Sequence, residues 1–382
     1  MPEPIVIVGA GQGAAKAVET LRGAGYDGAL VVFGDEAHPP YQRPPLSKKY
    51  LAGEMDAAAL HLKGPDYYAT HGVDLRLNTP VAGIDPSAQR VALANGESVP
   101  YSRLLIATGA RPRRLALAGA EREGVVTLRS IADVDAIRVQ LAQSESVVVI
   151  GGGYIGLEVA AVACGRGHRV TVLEGQGRVM ARVVSPEVSR FFEDLHRERG
   201  VDLRTGTAIA AIAGGQRVTG VALGDGSTVA ADLVLVAVGA SPNTELAVAA
   251  GLDVADGIVV DGAARTSAPD IYACGDCTRF MSRRYGRTVR LESVQNAIDQ
   301  GRVAALTMLG EAQDYDPVPW FWSDQYEIKL QIAGLSEGYD RSAREEAAGG
   351  GFAVSYFAGD RLLAVDAVNA PRAHMLARRA LV

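Results

Sequence analysis

Two glycine-rich segments, each with an acidic residue downstream, are the parts of this sequence best suited to chemistry. The first occupies residues 9–14 and is followed by Asp35, and the second occupies residues 151–156 and is followed by Glu174. In such a segment glycine lets the backbone approach a pyrophosphate, and the acid accepts hydrogen bonds from ribose hydroxyls. One segment predicts a dinucleotide site. Two in one chain favour electron transfer between two dinucleotides.

Each glycine segment stands between a predicted buried strand and a predicted helix. The apolar runs 5–8 and 147–150 end at the glycines, and the runs 30–33 and 170–173 lead to the two acids. The helix after the glycines offers free N–H groups and the positive end of its dipole to a phosphate. Because strands alternate with helices, the sequence predicts an α/β fold with two Rossmann-like dinucleotide-binding domains and parallel sheets.

The order of the predicted strands indicates that the second nucleotide domain is inserted in the first. A buried strand at 231–239 closes the second nucleotide unit, and a short strand at 270–276 ends in an acid. Beyond residue 312, alternating apolar runs suit the antiparallel strands of a third, α+β domain. The predicted first nucleotide domain, second nucleotide domain and C-terminal domain are 1–109 with 240–312, 110–239, and 313–382.

The composition limits the classes of function. The chain has 382 residues, of which 48% are hydrophobic, so two or three domains with sizeable cores are expected. A formal charge of −6 gives no general attraction to nucleic acid. No apolar run reaches the ~18 residues that span a bilayer, and an acid at Glu3 just before the first strand argues against a signal peptide. We therefore expect a cytoplasmic protein that binds neither nucleic acid nor membrane.

Six short motifs give the whole chain a family resemblance. They are 43–48 (RPPLSK), 105–109 (LIATG), 151–158 (GGGYIGLE), 275–276 (GD), 292–294 (ESV) and 320–325 (WFWSDQ). With them the chain resembles, over essentially its whole length, the FAD-dependent, NADH-linked ferredoxin reductases of the putidaredoxin reductase type, which have the glutathione-reductase-like fold. The resemblance implies that the first glycine segment holds FAD and the second holds NADH.

Carried over by position, the resemblance implies two sets of cofactor contacts. Gly9, Gly11 and Gly13 would face the FAD pyrophosphate, and Asp35 would bind the adenosine ribose. The further expected FAD contacts are Arg43, Lys48, Val81, Ala107, Thr108, Gly109, Arg129, Gly275, Asp276, Ser293, Val294 and Trp322. The expected NADH contacts are Gly151, Gly153, Tyr154, Ile155, Gly156, Glu158, Glu174 and Gly239.

Some of these residues have an ordinary structural alternative. Asp276 also suits the N-cap of a following helix. Arg43 and Arg129 also suit a solvated surface. Each alternative is compatible with the sequence alone.

Three residues are expected to act in catalysis. The resemblance implies that Lys48 and Glu158 form an ion pair beside flavin N5, where a lysine would stabilise negative charge on reduced flavin. It also implies that Tyr154 covers the flavin ring until nicotinamide displaces it. The structural alternatives are an inter-domain salt bridge for the ion pair and a core aromatic for the tyrosine.

The acid of the second segment indicates which coenzyme is used. A carboxylate at Glu174 accepts the 2′-hydroxyl of NADH but repels the 2′-phosphate of NADPH. No arginine follows it at once, because Gly175–Gly177 precede Arg178. The sequence therefore favours NADH.

The cysteines do not provide a disulfide through which electrons could leave. Disulfide reductases of this fold carry a reactive cysteine on or near the helix after the first ribose acid, and residues 36–60 contain none. Cys274 and Cys277 spell CxxC, but they enclose the expected FAD motif, and no second pair or histidines complete a zinc set. Cys164 is expected to be a small core residue. We expect neither a redox disulfide nor a metal site.

A run of arginines favours a protein partner as the electron outlet. Five arginines occur in twelve residues with no acid among them, and a sixth follows on a predicted helix: Arg279, Arg283, Arg284, Arg287, Arg290 and Arg302. Their field would attract a small acidic [2Fe–2S] ferredoxin, although a solvated charged loop is the alternative. The resemblance places 320–322 near the flavin and the partner, and strand geometry would put Trp320 and Trp322 on one side. The alternative for these tryptophans is domain-interface packing.

These patterns predict an FAD enzyme that oxidises NADH and supplies single electrons to a ferredoxin. A nicotinamide gives up two electrons at once, an iron–sulfur protein takes one, and a flavin can exchange either number. The ferredoxin would serve a haem monooxygenase or a Rieske dioxygenase. A rubredoxin reductase shares the motifs, a disulfide- or peroxide-type NADH reductase is opposed by the missing cysteine, and a redox sensor like apoptosis-inducing factor is a further alternative.

Overall fold

A computed structural model describes residues 3–381 of the chain. The strands are β1 Ile5–Val8, β2 Leu30–Phe33, β3 Val73–Arg76, β4 Val81–Asp85, β5 Arg90–Leu93, β6 Ser98–Pro100, β7 Arg103–Ile106, β8 Ala110–Pro112, β9 Val125–Val126, β10 Ser146–Ile150, β11 Arg169–Leu173, β12 Asp202–Arg204, β13 Ile209–Gly214, β14 Val218–Leu223, β15 Thr228–Ala230, β16 Leu233–Val236, β17 Ala240–Pro242, β18 Ile258–Val260, β19 Ile271–Ala273, β20 Thr278–Ser282, β21 Arg287–Val289, β22 Trp320–Gln325, β23 Ile328–Gly334, β24 Arg341–Glu346, β25 Phe352–Ala358 and β26 Arg361–Val368.

The α-helices are α1 Gln12–Gly23, α2 Ala57–Leu60, α3 Tyr67–Thr70, α4 Ile131–Leu141, α5 Tyr154–Gly165, α6 Pro186–Glu198, α7 Glu245–Ala249, α8 Val294–Met308 and α9 Pro371–Ala380. Short 3-10 helices occur at Pro44–Ser47 and Gly275–Cys277.

The described chain divides into two compact units. The first unit contains residues 3–42, 60–111 and 241–319, and the second contains residues 43–59, 112–240 and 320–381. Each unit is built from segments that are far apart in sequence. The division into three domains with the boundaries given above stays a prediction.

A five-stranded parallel sheet forms the centre of the first unit, in the order β19-β7-β1-β2-β3. Strands β1 and β2 are buried along their whole length, as expected for a parallel sheet that is covered on both faces. Helices α1 and α8 pack closely, since a Cβ on Gly301 would lie only 2.5 Å from the Gly13 carbonyl oxygen. The strand order reverses at β1, and the carboxyl end of this strand is where ligands bind in such sheets.

The second unit repeats this arrangement in a parallel sheet of order β12-β11-β10-β16-β9. Its register matches that of the first unit: Ile150 pairs with Leu173 as Val8 pairs with Phe33. The two glycine segments therefore leave equivalent central strands, and the predicted pair of Rossmann-like folds is confirmed.

The C-terminal part of the second unit is an antiparallel sheet in the order β22-β23-β26-β25-β24, as the alternating runs predict. Helix α9 packs on β23 and β26. The predicted fold class, α/β with an additional α+β part, is thus confirmed.

A buried polar cluster joins the C-terminal sheet to helix α6 within the second unit. The Tyr356 hydroxyl donates to Asp366 Oδ2 and accepts a 2.9 Å hydrogen bond from the Ser185 N–H at the N-cap of α6. Asp366 is fully buried, and its Oδ1 has no hydrogen-bond partner within the described residues. Burial raises the pKa of Asp366 to about 7, although the Tyr356 hydrogen bond acts in the opposite direction. The folded protein therefore holds a proton here that the unfolded chain releases.

This carboxyl should make folding stability fall as pH rises. Between the ordinary pKa of 3.8 and about 7, the folded state binds one proton more than the unfolded state. The free energy of unfolding then falls by up to about 1.4 kcal/mol per pH unit and levels off above roughly pH 7. We expect Asp366→Asn, which mimics the protonated group, to remove this slope in urea unfolding between roughly pH 5 and 7.

Asp232→Asn is the matched control. Hydrogen bonds from Ser146 and Glu145 lower the pKa of Asp232, so its contribution changes only at more acidic pH. This variant should keep the wild-type slope even where it lowers stability. A wild-type slope that persists in Asp366→Asn would show that the proton is bound elsewhere.

Candidate functional site

The first glycine of each segment makes the turn out of the central strand. Gly9 and Gly151 both have a φ of +107°, which L side chains rarely adopt. A Cβ on Gly9 would lie 2.3 Å from the Ala107 carbonyl oxygen, and one on Gly151 would lie 2.4 Å from that of Ala237. Each turn thus presses against the chain that leaves the neighbouring parallel strand, and only glycine fits.

The next key glycine leaves open space in front of a helix. Gly11 is the N-cap of α1 and Gly153 is the N-cap of α5, and a Cβ on either would meet no atom within 4 Å. Neither helix has a side-chain N-cap, so its first N–H groups point into that space. An open, donor-lined helix start fits a pyrophosphate, and it occurs once in each unit.

The remaining small residues serve packing. A Cβ on Gly156 would lie 2.1 Å from the Gly151 carbonyl oxygen, which keeps the loop close to its helix. A Cβ on Gly13 would lie 2.8 Å from Cys274 Sγ and 3.2 Å from the Ala297 carbonyl oxygen. Protein atoms therefore fill the space beside Gly13. Its contact with a pyrophosphate stays a prediction.

The two acids do not occupy equivalent positions. Glu174 directly follows β11, where its Oε2 accepts a 2.6 Å hydrogen bond from the Gly152 N–H and its Oε1 accepts one of 2.7 Å from Gln176. The matching position in the first unit is Gly34, and Asp35 lies one residue further on, exposed. The adjacent Glu36 accepts a 2.5 Å hydrogen bond from the Tyr41 hydroxyl. Sequence spacing alone could not reveal this offset.

Glu158, on the first turns of α5, lies in the most polar buried cluster of the second unit. Its Oε2 is 2.7 Å from Lys48 Nζ and accepts a 2.5 Å hydrogen bond from the Ser47 hydroxyl, while Oε1 accepts one of 2.6 Å from Ser323. The Lys48 ammonium also donates to the Pro44 carbonyl oxygen. The structure thus contains the predicted Lys48–Glu158 pair and adds two serines that sequence reasoning missed. The pattern RPPLSK contained one of them, but nothing in it indicated a bond to Glu158.

Tyr154, the first residue of α5, packs against the C-terminal sheet. Its half-buried ring lies 4.7 Å from that of Phe321. Burial, with smaller contributions from Asp366, Tyr356 and Glu158, raises its pKa well above the ordinary value, so the hydroxyl keeps its proton at neutral pH. The next residue, Ile155, is exposed. A phenol that stays neutral beside a dinucleotide loop can be displaced without moving a charge.

The tryptophans of the WFWSDQ motif lie on one side of β22. The rings of Trp320 and Trp322 stack at 5.7 Å with an angle of 27° between their planes. The Arg378 guanidinium lies over Trp320, 4.8 Å from the ring centre. The predicted alternation is therefore correct, and a cation from α9 covers one end of the pair.

Comparison with known proteins now gives this geometry a family. Residues 3–301 match the family described as pyridine nucleotide-disulphide oxidoreductase, and residues 320–382 match the domain described as reductase C-terminal. The chain belongs to the pyridine nucleotide-disulphide oxidoreductases. The family resemblance predicted from the motifs is confirmed.

Individual relatives cover almost the whole chain. Putidaredoxin reductase of Pseudomonas putida is 46% identical, over 96% of this chain and 89% of that protein. A rubredoxin–NAD(+) reductase of Pseudomonas putida is 40% identical, over 96% of both proteins. The reductase in a crystal structure of a covalent putidaredoxin reductase–putidaredoxin complex is 45% identical, with a TM-score of 0.96, over 99% of this chain and 93% of that one.

Other predicted residues of this oxidoreductase's first unit lie at the ends of its central strands. The Thr108 hydroxyl donates to the Asn243 carbonyl oxygen, and the Asn243 side chain donates back to the Thr108 carbonyl oxygen, so the segment after β7 is held in place. Gly109, which follows, has a φ of +64°. Asn243 had no motif that could reveal it. Val81 begins β4 and is half-buried.

The Gly275–Asp276 turn is held beside the start of α8. The Gly275 N–H donates to Gln300 Oε1 over 2.9 Å, and half-buried Asp276 lies in the 3-10 helix. Ser293 caps α8 by accepting a hydrogen bond from Asn296, and Val294 is the first residue of that helix. Asp276 therefore belongs to its own short turn, while Ser293 is the N-cap of the next α-helix.

In the second unit, the predicted arginines are held by backbone groups. Arg43 donates to the Arg129 carbonyl oxygen over 2.7 Å, and the Arg129 N–H donates to Asp133 Oδ2 at the start of α4. Gly239 has a φ of +104° and its carbonyl oxygen accepts from the Arg113 N–H. Roles of these residues toward a cofactor stay predictions.

The cysteines of this oxidoreductase are free thiols. Cys274 and Cys277 are buried, and burial is the main cause that raises the pKa of both, which makes them poor nucleophiles. The prediction that Cys164 is a core residue is wrong. It is half-buried near the end of α5 and its thiol faces the Arg199 carbonyl oxygen at 3.1 Å, because it lies on the outer side of the helix.

The arginine run is less positive than its sequence suggests, because acids from other segments pair with it. Arg279 and Arg290 lie 3.8 and 3.4 Å from Asp256, and Arg290 also pairs with Glu292. Arg283 pairs with Asp314 and lies 3.7 Å from Asp316. Arg284 and Arg287 are half-buried, and Arg302 is exposed on α8.

No helix within residues 3–381 is both long and apolar enough to cross a membrane. The same part of the chain has no group of three or more histidine, cysteine, aspartate or glutamate side chains that could hold a metal ion.

The open glycines can be tested separately from the turn glycines. Because nothing opposes a Cβ at Gly11, Gly11→Ala should lower the Tm of the apo-protein by no more than about 3 °C. It should weaken FAD binding at least about tenfold, because the new methyl group occupies the space in front of the helix. Gly153→Ala should leave FAD binding intact and raise the KM for NADH by a similar factor. Titration of the apo-protein with FAD and steady-state kinetics check the two.

Gly9→Ala is the contrasting variant, since its Cβ has no room and it should destabilise the fold itself. Unchanged FAD affinity in a folded Gly11→Ala protein would remove Gly11 from the cofactor site.

Proposed function

We propose that this chain is an NADH-dependent ferredoxin reductase, an FAD enzyme that passes single electrons to a [2Fe–2S] ferredoxin. The observation that carries this proposal is the pair of open, donor-lined glycine turns, one in each unit, in a chain similar to putidaredoxin reductase over nearly its whole length. Bound FAD supplies the chemistry that links two-electron and one-electron carriers. The ferredoxin would serve an oxygenase, either a haem monooxygenase or a Rieske dioxygenase.

In this proposal each glycine turn holds one dinucleotide. The turn at Gly9–Gly11 and the start of α1 bind the FAD pyrophosphate, and the turn at Gly151–Gly153 and the start of α5 bind that of NADH. The Lys48 ammonium stabilises negative charge on the cofactor, and Glu158 keeps this ammonium in place. Tyr154 yields its position to the nicotinamide.

Glu174 and Arg178 together support NADH as the coenzyme. The Glu174 carboxylate is held toward the loop by two backbone N–H groups. Arg178, the next arginine along the chain, donates to the Val184 and Ala181 carbonyl oxygens and to the Ser189 hydroxyl. Its guanidinium is thus engaged by its own loop and does not offer a site for a 2′-phosphate.

We therefore expect kcat/KM to be larger for NADH than for NADPH. Glu174→Ala removes both the ribose acceptor and the repulsion of a phosphate, so the NADH-to-NADPH ratio of kcat/KM should fall at least about tenfold. Glu187→Ala, which removes an exposed acid from α6, should leave the ratio unchanged. A wild-type ratio below one would contradict the assignment.

The electrons leave to a protein rather than to a disulfide. The buried, poorly reactive Cys274 and Cys277 thiols oppose a dithiol outlet. A rubredoxin is the second candidate acceptor, because a rubredoxin–NAD(+) reductase is among the similar proteins. Rapid turnover with an added ferredoxin would distinguish an enzyme from a redox sensor, for which slow turnover and a long-lived complex with NAD are expected.

The docking surface is proposed around the arginine run and Arg302. Ion pairs compensate Arg279, Arg283 and Arg290, so these contribute less field than their number suggests. Arg302 is exposed on α8, the helix that begins beside the Gly275–Asp276 turn. It is therefore the residue of this group best placed to meet an acidic carrier.

A charge reversal tests this surface. Arg302→Glu should lower kcat/KM for a [2Fe–2S] ferredoxin severalfold at low salt and leave ferricyanide reduction unchanged, because only the protein acceptor is steered by charge. Arg169→Glu, at an exposed arginine of the second unit, is the matched control. Equal effects of salt on turnover with both acceptors would argue against electrostatic docking.

A further inference from the structure

The buried carboxylate of Glu158 is the end of a longer line of polar side chains in the second unit. Ser323 and Gln325 on β22 and His196 on α6 are all fully buried, although none of them is apolar. Burying such groups is costly unless each finds a hydrogen-bond partner. They find these partners in one another.

The hydrogen bonds of this line run in one direction. His196 Nε2 lies 2.9 Å from Gln325 Oε1, Gln325 Nε2 donates to the Ser323 hydroxyl over 3.3 Å, and that hydroxyl donates to Glu158 Oε1 over 2.6 Å. A serine hydroxyl has one hydrogen, so Ser323 can give it to Glu158 only if Gln325 presents its N–H₂ group. The orientation of the Gln325 amide therefore decides whether Glu158 has its third donor.

His196 sets that orientation. Burial lowers its pKa, so at neutral pH the ring is uncharged and carries one hydrogen. Its Nδ1 lies 3.5 Å from the Tyr326 hydroxyl, and burial raises the pKa of Tyr326, so this hydroxyl keeps its hydrogen and can donate it. With Nδ1 as acceptor, the hydrogen of the imidazole is on Nε2, where it meets the carbonyl end of the Gln325 amide.

We propose that His196, Gln325 and Ser323 are positioning residues that fix the Glu158 carboxylate and, through it, the Lys48 ammonium. This proposal rests on the function proposed above, because it assigns the line a task in electron transfer. Glu158 Oε2 receives Lys48 and Ser47, and Oε1 receives only Ser323 among the described residues. Without that donor the carboxylate is free to turn about its last side-chain bond, and Lys48 Nζ loses its fixed distance from it.

The competing arrangement has a flipped Gln325 amide. Its N–H₂ group would then donate to His196 Nε2, and the Ser323 hydroxyl would donate to Gln325 instead of Glu158. In that case the imidazole hydrogen is on Nδ1. The two arrangements can be distinguished by the His196 tautomer, which is independent of turnover.

Nitrogen-15 NMR of histidine-labelled holoenzyme gives this first readout. We expect a neutral His196 with its hydrogen on Nε2, in the wild type and in Ser323→Thr. Observation of the Nδ1–H tautomer, or of a charged ring at neutral pH, would overturn the proposal.

Stopped-flow reduction of the enzyme-bound flavin by NADH gives the second readout. Ser323→Ala should lower the limiting rate constant about tenfold, since a hydrogen bond to a charged group is lost, and leave the apparent Kd for NADH unchanged. Ser323→Thr retains the hydroxyl and should recover most of the rate. Gln325→Glu keeps the size and the acceptor for His196 but cannot donate to Ser323, so it should be slowed like Ser323→Ala.

The control is Ser282→Ala, which removes another buried serine hydroxyl that donates to a carboxylate, that of Asp316. It should match the wild type in this assay. If wild-type flavin is not reduced by NADH at all, the proposed function fails. If the wild type reacts normally and Ser323→Ala or Gln325→Glu matches its rate while binding FAD fully, only the positioning line is refuted.

Discussion

The Glu158 carboxylate is the interaction on which the second unit depends most. It is almost fully buried, and removing a partner from such a charge typically costs about 3–5 kcal/mol. Its partners come from three segments far apart in sequence: Ser47 and Lys48 from residues 43–59, and Ser323 from β22. The short segment around Lys48 and the C-terminal sheet are thereby tied to helix α5. The same helix begins at the second glycine turn, so the ion pair and the coenzyme loop share one rigid element.

A second constraint, repeated in both units, comes from the turn glycines. Gly9 and Gly151 have the same positive φ and press against the backbone after the neighbouring parallel strand. Each turn hands the chain to a helix whose first N–H groups are uncapped. The duplication explains how one chain can hold two dinucleotides. The differences around the two turns, such as Glu174 after β11 and Gly34 after β2, are what allow one copy to bind a coenzyme that comes and goes and the other to retain its cofactor.

Much of this could be predicted from local patterns. Strands β1, β2, β10 and β11 follow from short apolar runs that end at glycine or acid, and the antiparallel sheet follows from alternation. The Lys48–Glu158 pair was predicted only from family resemblance, because the two residues are 110 positions apart in sequence. Ser323, Gln325 and His196 carried no signal, since their hydrogen bonds depend on how β22 packs against α5 and α6. The arginine run was overestimated for the same reason: Asp256, Asp314 and Asp316, which neutralise part of it, come from other segments.

The central claim is that the chain converts the two electrons of NADH into single electrons for an iron–sulfur carrier. An anaerobic titration measures this directly: a limiting amount of NADH is added to catalytic enzyme and excess oxidised [2Fe–2S] ferredoxin, and reduced ferredoxin is counted by its absorbance. The account predicts two reduced ferredoxins for each NADH consumed, at a rate that requires the bound flavin. NADH that is consumed without ferredoxin reduction, or that only forms a stable complex with reduced enzyme, would contradict it.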